Sequence, residues 1–200
     1  VRYRARSQPH SPTLNNPTLF YGSARNSKGY VTIKSDLDSL VSKSLVPQNM
    51  LNTMALVPDT KYLQVNFQSA DSIPIYGFNF DNGEGVHVDN FSYRGNSGLP
   101  LSILNPDLMN EFDKVLNYDL IILHYGANVL GYKSKNFSWY GNNMTAAVNN
   151  LKACFPNADI LVLSTADRAI KLNGYMQTDP AVIRRAKGKK EYAKNTNSGC

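Results

Sequence analysis

Tyr118-Asp119-Leu120-Ile121-Ile122-Leu123-His124-Tyr125-Gly126-Ala127-Asn128 is the stretch on which the fold turns. Its apolar run is too short for a lone helix. Led in by Tyr-Asp and closed by Gly-Ala-Asn, it reads as a buried parallel strand that delivers small and amide residues to its C-terminal edge. In open α/β sheets that edge is where ligands bind.

Outward from this strand, helical and strand patterns alternate. Before it, residues 105–117 place Leu108, Phe112, Val115 and Leu116 at helical spacing. Earlier still, Val86-His87-Val88-Asp89-Asn90 reads as a strand and Arg94-Gly95-Asn96-Ser97-Gly98 as a glycine loop. After it, a long loop over 129–138 leads to a helix over 139–155, with Met144, Ala147, Val148, Leu151 and Ala153 as its apolar stripe and Pro156 as its stop. Residues 159–164 form the next buried strand, with Thr165-Ala166-Asp167-Arg168 as its exit, then a polar loop through Gly174. From Pro180 a basic helix runs to about Lys194, with proline suited to its first turn. Such alternation implies a parallel sheet with right-handed crossovers.

Residues 1–81 differ in character. Short β-type runs at 1–7, 18–23, 30–34, 61–68 and 74–80 are separated by turn formers such as Asn15-Asn16-Pro17 and Pro58-Asp59. Val65, Phe67, Phe78 and Phe80 alternate with Asn66 and Asn79, giving one buried and one polar face. The pattern predicts an all-β sandwich or jelly-roll module over 1–81, followed by an α/β domain over 82–200. Exposed tyrosines and asparagines of the β module admit sugar stacking as well as ordinary surface chemistry.

Composition bounds the rest. The 200 residues are 42% hydrophobic and 18% charged, which suits globular packing rather than disorder. No apolar run approaches the roughly 20 residues that span a bilayer, and the basic start is followed by no signal-peptide core. The formal charge of +6 raises an acidic polymer as a partner. Most of the excess lies at Arg184, Arg185, Lys187, Lys189, Lys190 and Lys194, a pattern that reads as the solvated face of a helix, so nucleic acid is not the expected partner. Two cysteines make no disulfide framework; Cys154 reads as a small buried hydrophobe.

Three strand exits carry the candidate chemistry: residues 89–98, 124–128 and 164–168. Parallel strands would bring all three to one edge. A Gly-Ala-Asn after a hydrophobic strand, an upstream glycine loop and a downstream Ser-Thr-Ala-Asp-Arg exit together resemble the SGNH/GDSL family of serine esterases, over roughly residues 85–194. The resemblance implies an oxyanion hole in which Gly95 supplies a main-chain N–H and Asn128 a side-chain amide. Val129 stands where the family most often has aspartate. Donors fixed where an alkoxide develops are worth about 3 kcal/mol each. The nucleophile and base blocks are not in this chain: there is no Gly-Asp-Ser, and nothing like Asp-x-x-His near residue 200. The order is similar to that of cell-envelope polysaccharide or peptidoglycan O-acetylesterases with a carbohydrate-binding-module-like β insert between the serine and glycine blocks. On that likeness the chain is expected to be a fragment without activity of its own, from a secreted, periplasmic or cell-surface protein acting on an acetylated glycan and needing no cofactor. The alternative is a non-catalytic carbohydrate-binding protein on a degenerate hydrolase scaffold.

Other candidates keep two readings each. Ser97 could be a nucleophile, but Gly-Asn-Ser-Gly does not reproduce Gly-x-Ser-x-Gly, which favours a hydroxyl bonding its own loop. His124 could orient substrate at the strand exit, although its apolar flank favours a packed, hydrogen-bonded ring. His87, between two valines, is expected on a strand face, and His10 lies in a proline-rich loop. Asp89 and Asp167-Arg168 fit either a local charge brace or the lining of the cleft. The scattered histidines and cysteines give no metal-ligand spacing, and Gly83-Glu84-Gly85 is not a dinucleotide fingerprint.

Overall fold

The computed structural model describes residues 1–6, 12–37, 40–126, 138–164, 166 and 168–199. They fall into two compact units, Val1–Asp89 and Asn90–Cys200.

The first unit is built from two antiparallel sheets. One has the order β1-β6-β3-β4, from strands β1 (Arg2–Arg4), β3 (Tyr30–Ser35), β4 (Leu40–Ser44) and β6 (Tyr62–Gln68). The other has the order β5-β2-β7, from β2 (Thr18–Tyr21), β5 (Asn52–Ala55) and β7 (Ile75–Asn79). Leu19 and Tyr21 of one sheet and Val31, Ile33, Leu63 and Val65 of the other share a single buried core, closed by Leu45, Leu56 and Ile73. Period-two alternation does this: along β3 every second residue, Val31, Ile33 and Ser35, is buried. Asn52 is one of the buried polar residues of this unit, with Ser35 and Thr60; its amide donates to the carbonyls of Tyr21 and Asn49 and accepts from the Asn49 N–H. Strands β4 and β5 lie in stretches that carry no strand signal in the sequence. Both are edge strands with one neighbour, so each buries little and its residues need not be apolar.

The second unit contains a 3₁₀ turn (Leu99–Ile103), α1 (Pro106–Leu116), β8 (Leu120–Leu123), α2 (Ser138–Cys154), β9 (Asp159–Val162), a hairpin of β10 (Ala169–Leu172) and β11 (Tyr175–Thr178), and α3 (Pro180–Asn195). Asn105 caps α1, its side chain accepting from the N–H groups of Asp107 and Leu108, and Asn117 ends it in the left-handed region at φ 47°. β8 and β9 are parallel, with Leu120 opposite Asp159 and Leu123 opposite Val162. On its other edge β9 is bridged by Gly199, whose N–H donates to Ile160 O while its carbonyl accepts from Val162 N–H. The core comprises Leu123, Ile160 and Val162 from the sheet, Tyr140, Met144, Val148 and Leu151 from α2, and Tyr192 and Ala193 from α3. Cys154 is buried at the end of α2 and unoxidised, and burial pushes its thiol up from the ordinary value.

Four expectations are corrected. Residues 86–90 are not a strand: no described strand pairs with them, and Val86 is 93% exposed. Alternation suffices for a strand only where a neighbour takes up its N–H and C=O groups. β8 is not buried throughout. Leu123 is 4% exposed, whereas Leu120 and Ile122, on the opposite face, are 49% and 54% exposed. The stretch through Gly174 is not a plain loop but a hairpin turning on Asn173 (φ 51°) and Gly174 (φ 87°), the two positive φ values that a tight two-residue turn requires. The basic helix α3 does not solvate all its cations: Lys189 is 1% exposed, and its ammonium donates to Leu163 O at 2.6 Å.

Truncation should therefore cost very different amounts along β8. Leu123→Ala is expected to lower unfolding free energy by about 3 kcal/mol and Leu120→Ala by about 1 kcal/mol or less, measured by urea unfolding. Equal costs would mean that both faces of the strand are covered.

Candidate functional site

The glycine loop is held by local hydrogen bonds. Asn96 N–H donates to Tyr93 O, and Asn96 Oδ1 accepts from Gly98 N–H at 2.8 Å. Ser97 Oγ accepts from Leu99 N–H at 3.4 Å, and Ser97 O accepts from the Tyr140 hydroxyl at 2.8 Å. Ser97 thus acts as a loop hydroxyl just ahead of the 3₁₀ turn, and Tyr140 at the start of α2 fixes the loop's position.

Gly95 and Gly98 both adopt positive φ, 84° and 85°. They differ in their surroundings. A Cβ on Gly95 would meet nothing within 4 Å, and the residue is exposed. A Cβ on Gly98 would lie 2.8 Å from Tyr125 Cγ and 3.2 Å from Met144 Sδ. The glycine whose missing side chain lets two elements meet is therefore Gly98, which the sequence pattern did not single out. This contact seats the loop against the exit of β8, one residue beyond His124.

His124, at the end of the strand, is exposed rather than packed. Asn128 and Asp167, two of the five expected site residues, lie outside the described residues. The exits of β8 and β9 adjoin: Leu163 N–H donates to Leu123 O at 2.9 Å. Leu163 O is in turn the acceptor for the buried Lys189, a residue hidden from sequence reading by the basic run around it.

Arg168 is a brace. Its guanidinium binds Asp179 Oδ2 through Nε, at 3.0 Å, and through Nη2, while Asp179 Oδ1 caps α3 by accepting from Ala181 N–H at 2.9 Å. The Ala181 N–H and then the Arg168 guanidinium hold the Asp179 carboxyl below the usual carboxylate range. His87 sits on an exposed loop rather than a strand face, with Nε2 at 2.7 Å from Glu84 O and 2.8 Å from Asp81 Oδ1. Among the described residues no group of three or more His, Cys, Asp and Glu side chains is placed to hold a metal ion, and no helix is long and apolar enough to cross a membrane.

No known family model matches the chain, and no curated protein matches it in sequence. Among solved structures, a peptidoglycan O-acetylesterase superposes with a TM-score of 0.62 at 16% identity, over 92% of this chain and 50% of that one. The chain therefore spans about half the length of that structure, and at this identity the likeness is one of fold. A family two carbohydrate esterase from Cellvibrio japonicus aligns over 92% of this chain and 74% of its own, at 13% identity and a TM-score of 0.34.

Two measurements check this geometry. Gly98→Ala should destabilise the protein by about 1–3 kcal/mol more than Gly95→Ala, because only the former forces a methyl into a packed ring; equal losses in denaturant unfolding would separate the loop from Tyr125. Asp179 has a lowered folded pKa, so its stabilisation is present above the unfolded carboxylate pKa and is lost as pH falls through the folded value. Hydrogen exchange at the start of α3 should accelerate over that acidic window, and Asp179→Asn should flatten the dependence.

Proposed function

We propose that the chain is part of an SGNH/GDSL-type serine esterase that removes O-acetyl groups from a polysaccharide or peptidoglycan outside the cytoplasm. The observation that carries this reading is the seating of the glycine loop on the β8 exit, Gly98 against Tyr125, within a chain whose fold matches half of a peptidoglycan O-acetylesterase. In that reading, Gly95 N–H and the Asn128 amide stabilise the tetrahedral oxyanion. His124 and Asp167 line the substrate side, and Ser97 orders the loop. The attacking serine and the Asp/His pair that moves its proton belong to parts of the protein outside these 200 residues. The exposed face of β8 supports this assignment, because parallel strands are ordinarily covered on both faces, and Leu120 and Ile122 present an apolar surface for further elements. Residues 1–81 serve as a carbohydrate-binding-module-like insert.

Two outcomes are expected. The 200-residue chain should not hydrolyse p-nitrophenyl acetate above the buffer rate, whereas the longer gene product should. In the longer protein Asn128→Ala should lower kcat by about 10²-fold or more with little change in KM. Robust turnover by the 200-residue chain, abolished by Ser97→Ala, would place the nucleophile inside it and overturn the division of the site.

A further inference from the structure

The four-stranded sheet of the first unit has two unlike faces. Tyr3, Leu63, Val65, Val31 and Ile33 turn inward to the core. The register sets their neighbours in rows on the opposite face, with Arg2 beside Gln64 beside Lys34, and Arg4 beside Tyr62. Arg2, Arg4 and Lys34 are exposed. No aspartate or glutamate occurs in any of the four strands. Asp36, on the turn after β3, accepts from the backbone N–H groups of Tyr62 and Lys61, which hold its carboxyl below the usual range.

The polar side chains of this face also point their acceptors inward. Gln64 Oε1 accepts from Arg2 Nε at 3.1 Å and from the Tyr62 hydroxyl at 2.7 Å, and the Gln64 amide donates to Asn66 Oδ1 at 3.2 Å. With those acceptors occupied, this face presents the guanidinium ends of Arg2 and Arg4 on β1, the Lys34 ammonium on β3 and the Asn66 amide on β6, beside the exposed Gln68 amide at the end of β6. Alternate residues on a strand are about 6.7 Å apart, so Arg2 and Arg4 form a regular cationic row on an edge strand. A shallow depression of about 440 Å³, lined by Arg2, Tyr3, Arg4 and Tyr62, runs along that edge.

We propose that this face binds a carboxylated glycan, a polyuronate-like chain whose carboxylates pair with Arg2, Arg4 and Lys34 while its hydroxyls meet Tyr62 and Asn66. The charge is complementary, the fork of arginine matches a carboxylate in two-point contact, and tyrosine and amide side chains suit sugar hydroxyls. This deepens the glycan side of the esterase reading, but the binding does not depend on catalysis.

Affinity electrophoresis of the 200-residue chain tests it, with polygalacturonate in one gel and fully methyl-esterified polygalacturonate in another. Retention by the acid form only is expected, and it should weaken steeply between 50 and 300 mM NaCl in the manner of polyelectrolyte binding, about tenfold or more. The variant R2Q/R4Q/K34Q should lose about tenfold or more in affinity, while K187Q/K190Q on α3 should lose nothing. Unfolding midpoints show whether the variants fold; if the triple variant does not fold, R4Q alone, at an exposed side chain, should still show a measurable loss, and a folded triple variant that binds as tightly as the unaltered chain would overturn the proposal. Equal retention by the methyl ester, retention by neither polymer, a loss that follows α3 instead, or tighter binding of single-stranded DNA would each overturn the proposal. Ester hydrolysis is not read in this experiment, so a failed esterase assay leaves its outcome intact.

Discussion

The second unit depends on one helix satisfying the ends of its neighbours. The last carbonyls of any helical turn have no partner within it, and α2 supplies the missing donors. The Asn150 amide donates to Leu101 O and Leu104 O, closing the 3₁₀ turn, and the Lys152 ammonium donates to Thr196 O and Asn197 O past the end of α3. The end of α2 is closed in return by the Asn110 amide of α1, which donates to Ala153 O and Cys154 O. Meanwhile Met144, Val148 and Leu151 bury against the sheet. One face of α2 thus makes the core, its polar residues fix the spacing of the surrounding elements, and its first turn holds the glycine loop through Tyr140.

That arrangement explains what could and could not be read from the chain. α1, α2, α3, β8 and β9 were legible because each is long or strongly patterned, and its caps, Asn105 and Asp179, stand where caps belong. The hairpin at Asn173-Gly174 carried its signal in the turn dipeptide rather than in its exposed strands. Residues 86–90 alternate well yet have no partner among the described strands, so local pattern pointed the wrong way. The edge strands β4 and β5 are the converse: their existence is decided by the neighbour and not by their own residues.

The candidate site was legible only in outline. The loop and the β8 exit were both visible, but the choice between Gly95 and Gly98 depends on where Tyr125 lies, which is tertiary information. The same holds for Lys189, one cation among many in sequence and the only one of its run that the fold buries among the described side chains. Burying an ammonium is costly without hydrogen bonds, so its bond to Leu163 O ties α3 to the end of β9. The rim of the β8–β9 exits is therefore stitched together from behind by a helix that contributes nothing to their sequence pattern.

Trp139 is the single tryptophan of the chain, and it packs edge-on against Tyr140, with ring centroids 5.9 Å apart. Its neighbour is the residue whose hydroxyl holds Ser97 O. The protein thus has a built-in fluorophore one residue from the side chain that holds the glycine loop. A ligand that displaces the glycine loop would therefore be read in the indole emission without any added label.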